Sequence, residues 1–293
     1  MEIAQTPQSG WLEALRAHAR SHMPAALGLG LSALAVVALL GQSLLQIATG
    51  EASAVLRFAL IGGAAGFAAT ALGAAPALFL RGIPQRVEDS MLGMAAGMML
   101  AASAFSLLIP GLEAGTAILG GKGGGAGVVV LGMALGVLLM LGLDAFTPHE
   151  HERGGPCGPG FERCGRVWLF VFAIALHNLP EGMAIGVGFS HGDMGVGLPL
   201  VTAIALQDLP EGLAVALALR GAGLTAGRAV LVAGASGLAA AYPVGLGLAA
   251  GAMIFVVSHE VIPETHRNGH QTPATVGLMA GFAVMMVLDA MLG

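Results

Sequence analysis

The 293 residues are 56% hydrophobic and 10% charged, with a mean hydropathy of +0.84 and a formal net charge of −5. One water-soluble core cannot hide that much apolar surface, and 47 glycines without a Gly-X-Y period are not collagen-like, so globular and fibrous classes are both excluded. What fits is a polytopic membrane protein whose helices approach closely through small side chains.

Residues 1–23 are a polar N-terminal segment in which Trp11, Leu12, Leu15, Arg16 and Arg20 recur at roughly helical spacing. The apolar run at 24–49 is too long for a signal-peptide core and reads as a membrane span. A spanning helix needs ~20 mainly apolar residues. Further runs of that kind fall at 55–80, 89–112, 126–146, 167–190, 195–219, 243–262 and 273–292, with a shorter ninth at 229–241. The expectation is an all-α bundle of eight or nine transmembrane helices, a single membrane domain over 24–293.

Nine crossings from a cytoplasmic N-terminus put Arg16, Arg20, Arg81, Arg86, Arg153, Arg163, Arg166, Arg220, Arg228 and Arg267 inside, and only Arg57 and Lys122 outside. That is the positive-inside bias. Eight crossings would move Arg267 outside, yet the 38 residues between Arg228 and Arg267 are a tight length for two crossings and a turn. The longest polar loop, 147–166, is then cytoplasmic and carries His149, Glu150, His151, Glu152, Cys157 and Cys164. The two cysteines lack zinc-ribbon spacing and imply no disulfide framework.

Two six-residue segments carry the chemistry: His177-Asn178-Leu179-Pro180-Glu181-Gly182 and Gln207-Asp208-Leu209-Pro210-Glu211-Gly212. They lie near the midpoints of the runs 167–190 and 195–219, which a short connection makes antiparallel, so both sit at one depth and approximate an inverted repeat. His177 and Glu181 are four apart, as are Gln207 and Glu211, so each pair shares a helix face; Asn178 and Asp208 stand one step round. Pro180 and Pro210 leave backbone carbonyls one turn earlier without their donors. Ionisable groups at mid-bilayer depth are functional by default. One imidazole and several oxygens suit Zn(II), Fe(II), Mn(II) or Cd(II), and the absence of thiolate or clustered Met argues against Cu(I). The bland alternative is a pair of proline kinks with an internal hydrogen-bonded network.

On these residues, and on Ser258-His259-Glu260-Val261-Ile262-Pro263-Glu264, the chain resembles the bacterial members of the ZIP (Zrt/Irt-like) family of divalent metal permeases from about residue 55 onward. The resemblance implies a binuclear centre, with His177, Glu181, Gln207 and Glu211 at one position and Asn178, Asp208 and both glutamates at the other. It also implies zinc uptake into the cytoplasm across the inner membrane, with iron, cadmium and manganese as other cargoes. Transport would be elevator-type, a bundle moving against a scaffold within a homodimer. One departure is plain. Relatives usually carry a glutamate on the helix after the second motif, whereas nothing between Glu211 and Glu260 is acidic here. That leaves a second reading, a metal-binding but transport-impaired sensor or assembly protein.

Asp144, His149, His151, His259, Glu260 and Glu264 gather at the cytoplasmic level as exit candidates, and Met99 and Ser106 as pathway-lining candidates. Met91, Met94, Met98 and Met99 otherwise read as a packing stripe. Asp89, at the start of its helix, reads as interfacial. An intramembrane metalloprotease would need His-Glu-x-x-His, and Glu260 has no second histidine at the required step. No enzyme activity, catalytic cofactor or nucleic-acid partner is expected.

Overall fold

The computed structural model describes residues 11–49, 53–80, 82–147, 149–151, 155–157, 178–189, 194–221, 225, 227 and 244–292. The elements in chain order begin with α1 (Trp11–Ser21), α2 (Met23–Ala48) and α3 (Ser53–Ala74), which ends in a 3₁₀ turn at Ala75–Leu78. Next come α4 (Gln85–Ala102), a π turn at Ser103–Leu108, α5 (Ile109–Leu119) and α6 (Lys122–Phe146). The short strands β1 (His149–His151) and β2 (Gly155–Cys157) pair antiparallel, with His149 opposite Cys157. Helix α7, described over 178–188, and α8 (Met194–Gly221) follow. The chain closes with α9 (Val244–Val256), a π turn at Val257–Val261, α10 (Ile262–Thr265) and α11 (Gln271–Leu292).

The described residues thus form a helical bundle with one small β-hairpin. Six described helical stretches are long and apolar enough to cross a bilayer, from Ile61–Leu78 to Gln271–Leu292. Their outer faces are strongly apolar: Leu72, Val130, Leu131, Val276, Met279 and Val287 are all exposed, as lipid contact requires.

Glycine sets which helices touch. A methyl group on Gly93 or Gly97 of α4 would overlap the carbonyls of Ala274 and Leu278 on α11, and one on Gly277 or Gly281 would overlap those of Ser90 and Met94. Only backbones with nothing between them come that close. The same seam joins α6 to α9 through Gly136, Gly247 and Gly251, and α3 to α8 through Gly73 and Gly212.

These contacts also fix direction. Residues 93 and 97 face 274 and 278, 129 and 133 face 247 and 251, and 66 and 70 face 208 and 212, so each of the three pairs is parallel. Because α4 reverses α3 after a short turn, and α6 reverses α5 with Gly115 against Gly125, α8 and α9 run the same way. That common direction agrees with the nine-crossing topology and excludes the eight-crossing one. The 229–241 run itself lies outside the described residues.

Two π turns precede prolines. The Ile109 N–H bonds the Ala104 carbonyl and the Ile262 N–H bonds the Val257 carbonyl, five residues back in each case. Pro110 and Pro263 follow immediately, and a proline has no N–H to give the carbonyl one turn earlier, which suits the wider turn.

Candidate metal centre

Helices α7 and α8 form the antiparallel hairpin expected from their short connection, packed at the C-terminal end of α7 where Gly188 meets Leu200 and Gly197 meets the Phe189 ring. α8 stays helical through Pro199 and Pro210, so its second motif is held on regular helix rather than at a break. Glu181, Asp208 and Glu211 converge, with one carboxylate oxygen from each lying within 4.8 Å of the others. Glu181 and Asp208 are about 5% exposed or less, and Asn178 is equally buried beside Glu181 in sequence. His177, the one imidazole of the expected set, lies outside the described residues.

Gln207 bears on the choice between a ligand site and a closed polar network. Its Nε2 donates to Glu181 Oε1 at 2.5 Å. Its Oε1 is fully buried and has no hydrogen-bond partner among the described residues. An unpaired buried amide oxygen costs about 1–3 kcal/mol, and a self-satisfied network has no place for one. A buried acceptor next to three carboxylates is one a cation could satisfy.

Asp208 is positioned from α3. Thr70 Oγ1 lies 3.2 Å from Asp208 Oδ2 and 3.1 Å from the Gly66 carbonyl, so the α3 backbone and hydroxyl form one wall. Gly66 keeps that wall low, since a Cβ there would stand 3.4 Å from Asp208 Oδ2. Among the described residues neither Glu181 nor Asp208 has a Lys or Arg ion partner. Three clustered carboxylates in an apolar interior need cations or protons for compensation.

The other singled-out residues scatter by role. Met98 and Met99 are 2% exposed in the central apolar cluster, which fits packing. Ser106 donates to Asp289 Oδ1 at 2.6 Å near the C-terminal end of α11. Leu143 shares an apolar cluster with Val256 and Val261, which brings Asp144 to the level of His259 and Glu260. His259 stacks on Phe255, with ring centroids 4.9 Å apart, and Glu264 pairs with Arg267 at 2.5 Å. His149 and His151 lie on β1.

Asp89 lies near the start of α4, where the sequence reads it as interfacial, and is 1% exposed because the turn before α11 folds over it. Gln85, Asn268 and His270 all reach its carboxylate, at 3.2, 3.1 and 2.8 Å. Thr70 and Asp289 escaped the sequence reading. Asp289 carried a signal, an acidic residue inside the last apolar run; Thr70 carried none in its Gly/Ala-rich surroundings.

Clustered, largely buried carboxylates at the middle of an antiparallel hairpin, within a bundle of apolar helices, define a multi-pass membrane protein with a polar centre. The comparisons with known proteins narrow the class. The family model described as ZIP Zinc transporter matches residues 160–289. Zinc transporter ZIPB of Bordetella bronchiseptica is 63% identical over 296 aligned positions, covering 96% of this chain and 96% of that protein. Zinc transporter GufA of Myxococcus xanthus is 39% identical, covering 77% of this chain and 95% of its own. Human Zinc transporter ZIP11 is 32% identical, covering 76% and 94%. The chain belongs to the ZIP family.

Proposed function

We propose that this protein carries a divalent transition metal, zinc foremost, into the cytoplasm through a centre made by His177, Asn178, Glu181, Gln207, Asp208 and Glu211. The observation that carries the reading is the buried Gln207 Oε1, without a hydrogen-bond partner among the described residues, beside three mutually close carboxylates. Relatives at 63, 39 and 32% identity bear the name zinc transporter, which favours zinc over the iron, cadmium and manganese that the same donors would accept.

An elevator-type movement suits how the glycine contacts are distributed. The close glycine contacts named above fall within two groups: α3 with α7 and α8, or α4 and α5 with α6, α9 and α11, to which α2 attaches through Gly28 and Gly142. Each group is locked internally, while the face between them is made of side chains that can slide. The first group carries the candidate ligands, so it is the moving one. Met99 and Ser106 then line the outer route, and Asp144, His149, His151, His259, Glu260 and Glu264 receive the ion on the cytoplasmic side of the inner membrane. The polar N-terminal segment and the single membrane domain over 24–293 fit that arrangement, as does assembly into a homodimer.

The absence of any acidic residue between Glu211 and Glu260 supports a single well-held ion rather than a binuclear pair, and favours a metal-binding sensor as the second reading. Zinc flux into proteoliposomes separates the two. The transport reading expects flux that Glu181→Ala with Glu211→Ala abolishes; zinc binding without flux supports the sensor.

A further inference from the structure

We propose that His18 and His22 form a separate docking site for a divalent transition metal, held against the inner end of α6. They are four residues apart, and helical bonding runs unbroken across the α1–α2 junction: the His22 N–H bonds the His18 carbonyl and the Ala26 N–H bonds that of His22. The two imidazoles therefore share one face, with ring centroids 4.4 Å apart. A His pair at this spacing on a helix is the chelating unit of helical zinc sites.

The neighbours of His18 set its tautomer. Its Nε2 lies 2.7 Å from the Ala145 carbonyl oxygen. A carbonyl can only accept, so Nε2 carries the proton, and in the neutral ring the lone pair is left on Nδ1. A backbone carbonyl holding the far N–H is the usual support for a metal-ligating histidine. The Phe146 ring meets His18 edge-on at 5.1 Å and 89°, which fixes the imidazole plane. His18 is half-buried and His22 is exposed, so an ion can reach the pair from water.

The position matters. Ala145 lies next to Asp144 and four residues before His149, so an ion released inward meets α1 as it leaves the bundle. Binding at Nδ1 keeps the Nε2–H bond to Ala145, so the loaded site also fastens α1 to α6. Two protein ligands leave the remaining coordination positions to water, which suits a transient hand-over site rather than a permanent one.

The test uses the full-length protein in lipid nanodiscs, with Glu181→Ala and Glu211→Ala introduced to silence the intramembrane centre and zinc titrated against a fluorescent chelator. The expected result is a residual zinc ion whose affinity falls at least ~10-fold on His22→Gln, with the same loss in His18→Gln/His22→Gln. His22→Gln leaves the His18–Ala145 bond untouched, so a purely structural role for His18 predicts no change. Unchanged affinity and stoichiometry in the double histidine variant overturns the proposal. If the two glutamate substitutions leave zinc binding as in the wild type, the intramembrane assignment fails instead, and the histidine variants still report on their own site.

Discussion

Two buried acidic clusters in this molecule have opposite characters. Asp89 receives three donors, from Gln85, Asn268 and His270, and its carboxylate is fully spoken for. Glu181, Asp208 and Glu211 crowd together, with a glutamine amide and a threonine hydroxyl among their donors and, among the described residues, an amide oxygen left over. A carboxylate surrounded by donors is a structural fastening. Carboxylates surrounded by more acceptors are an invitation to a cation. Burial alone does not tell the two apart; the count of donors against acceptors does.

Substitutions can break this contrast. Glu181→Ala removes a carboxylate from the crowded cluster, so zinc uptake by proteoliposomes should fall at least ~100-fold while the thermal transition stays within a few degrees of wild type, relief of charge repulsion offsetting lost packing. Asp89→Ala should do the reverse, costing about 1–2 kcal/mol in a reversible unfolding assay through the loss of three hydrogen bonds at the α4–α11 junction, with zinc affinity within about twofold of wild type. If Asp89→Ala abolishes zinc binding and leaves stability alone, the distinction between the clusters collapses.

Finer changes sharpen it. Gln207→Leu keeps the volume but removes the leftover acceptor, and should weaken zinc about tenfold in a competition titration. Lowering the pH should weaken zinc as well, because protons and metal compete for the same carboxylates; affinity is greatest where they are deprotonated and falls as pH drops, by up to about tenfold per unit for each proton displaced. Thr70→Val withdraws one donor from Asp208 and should change affinity least, by about 1 kcal/mol or a few-fold.

Much of this was legible in the sequence, for identifiable reasons. Apolar length gave the spans, since a bilayer imposes a minimum that α6 or α11 meets in one uninterrupted run. The paired motifs gave the depth and shared faces of Glu181, Gln207, Asp208 and Glu211, because helical periodicity and a short hairpin leave little freedom. What escaped depended on partners distant in sequence. Asp89 sits where a helix start would normally meet water, and only the packing of α4 on α11 brings Asn268 and His270 over it. Thr70 and the His18–Ala145 contact likewise exist only through tertiary packing. The ninth crossing was undecided by hydropathy, and the parallel packing of α6 and α9 settles the direction. The π turns follow Pro110 and Pro263 in hindsight, although a proline in a helix does not say whether the backbone will kink or widen.

The most direct measurement is zinc-edge anomalous scattering from crystals of the full-length protein soaked in zinc. The account predicts a peak between α7 and α8, about 2.0–2.2 Å from oxygens of Glu181 and Glu211, with Gln207 Oε1 turned toward it. Strong peaks elsewhere in the crystal, with none between these helices, would contradict it.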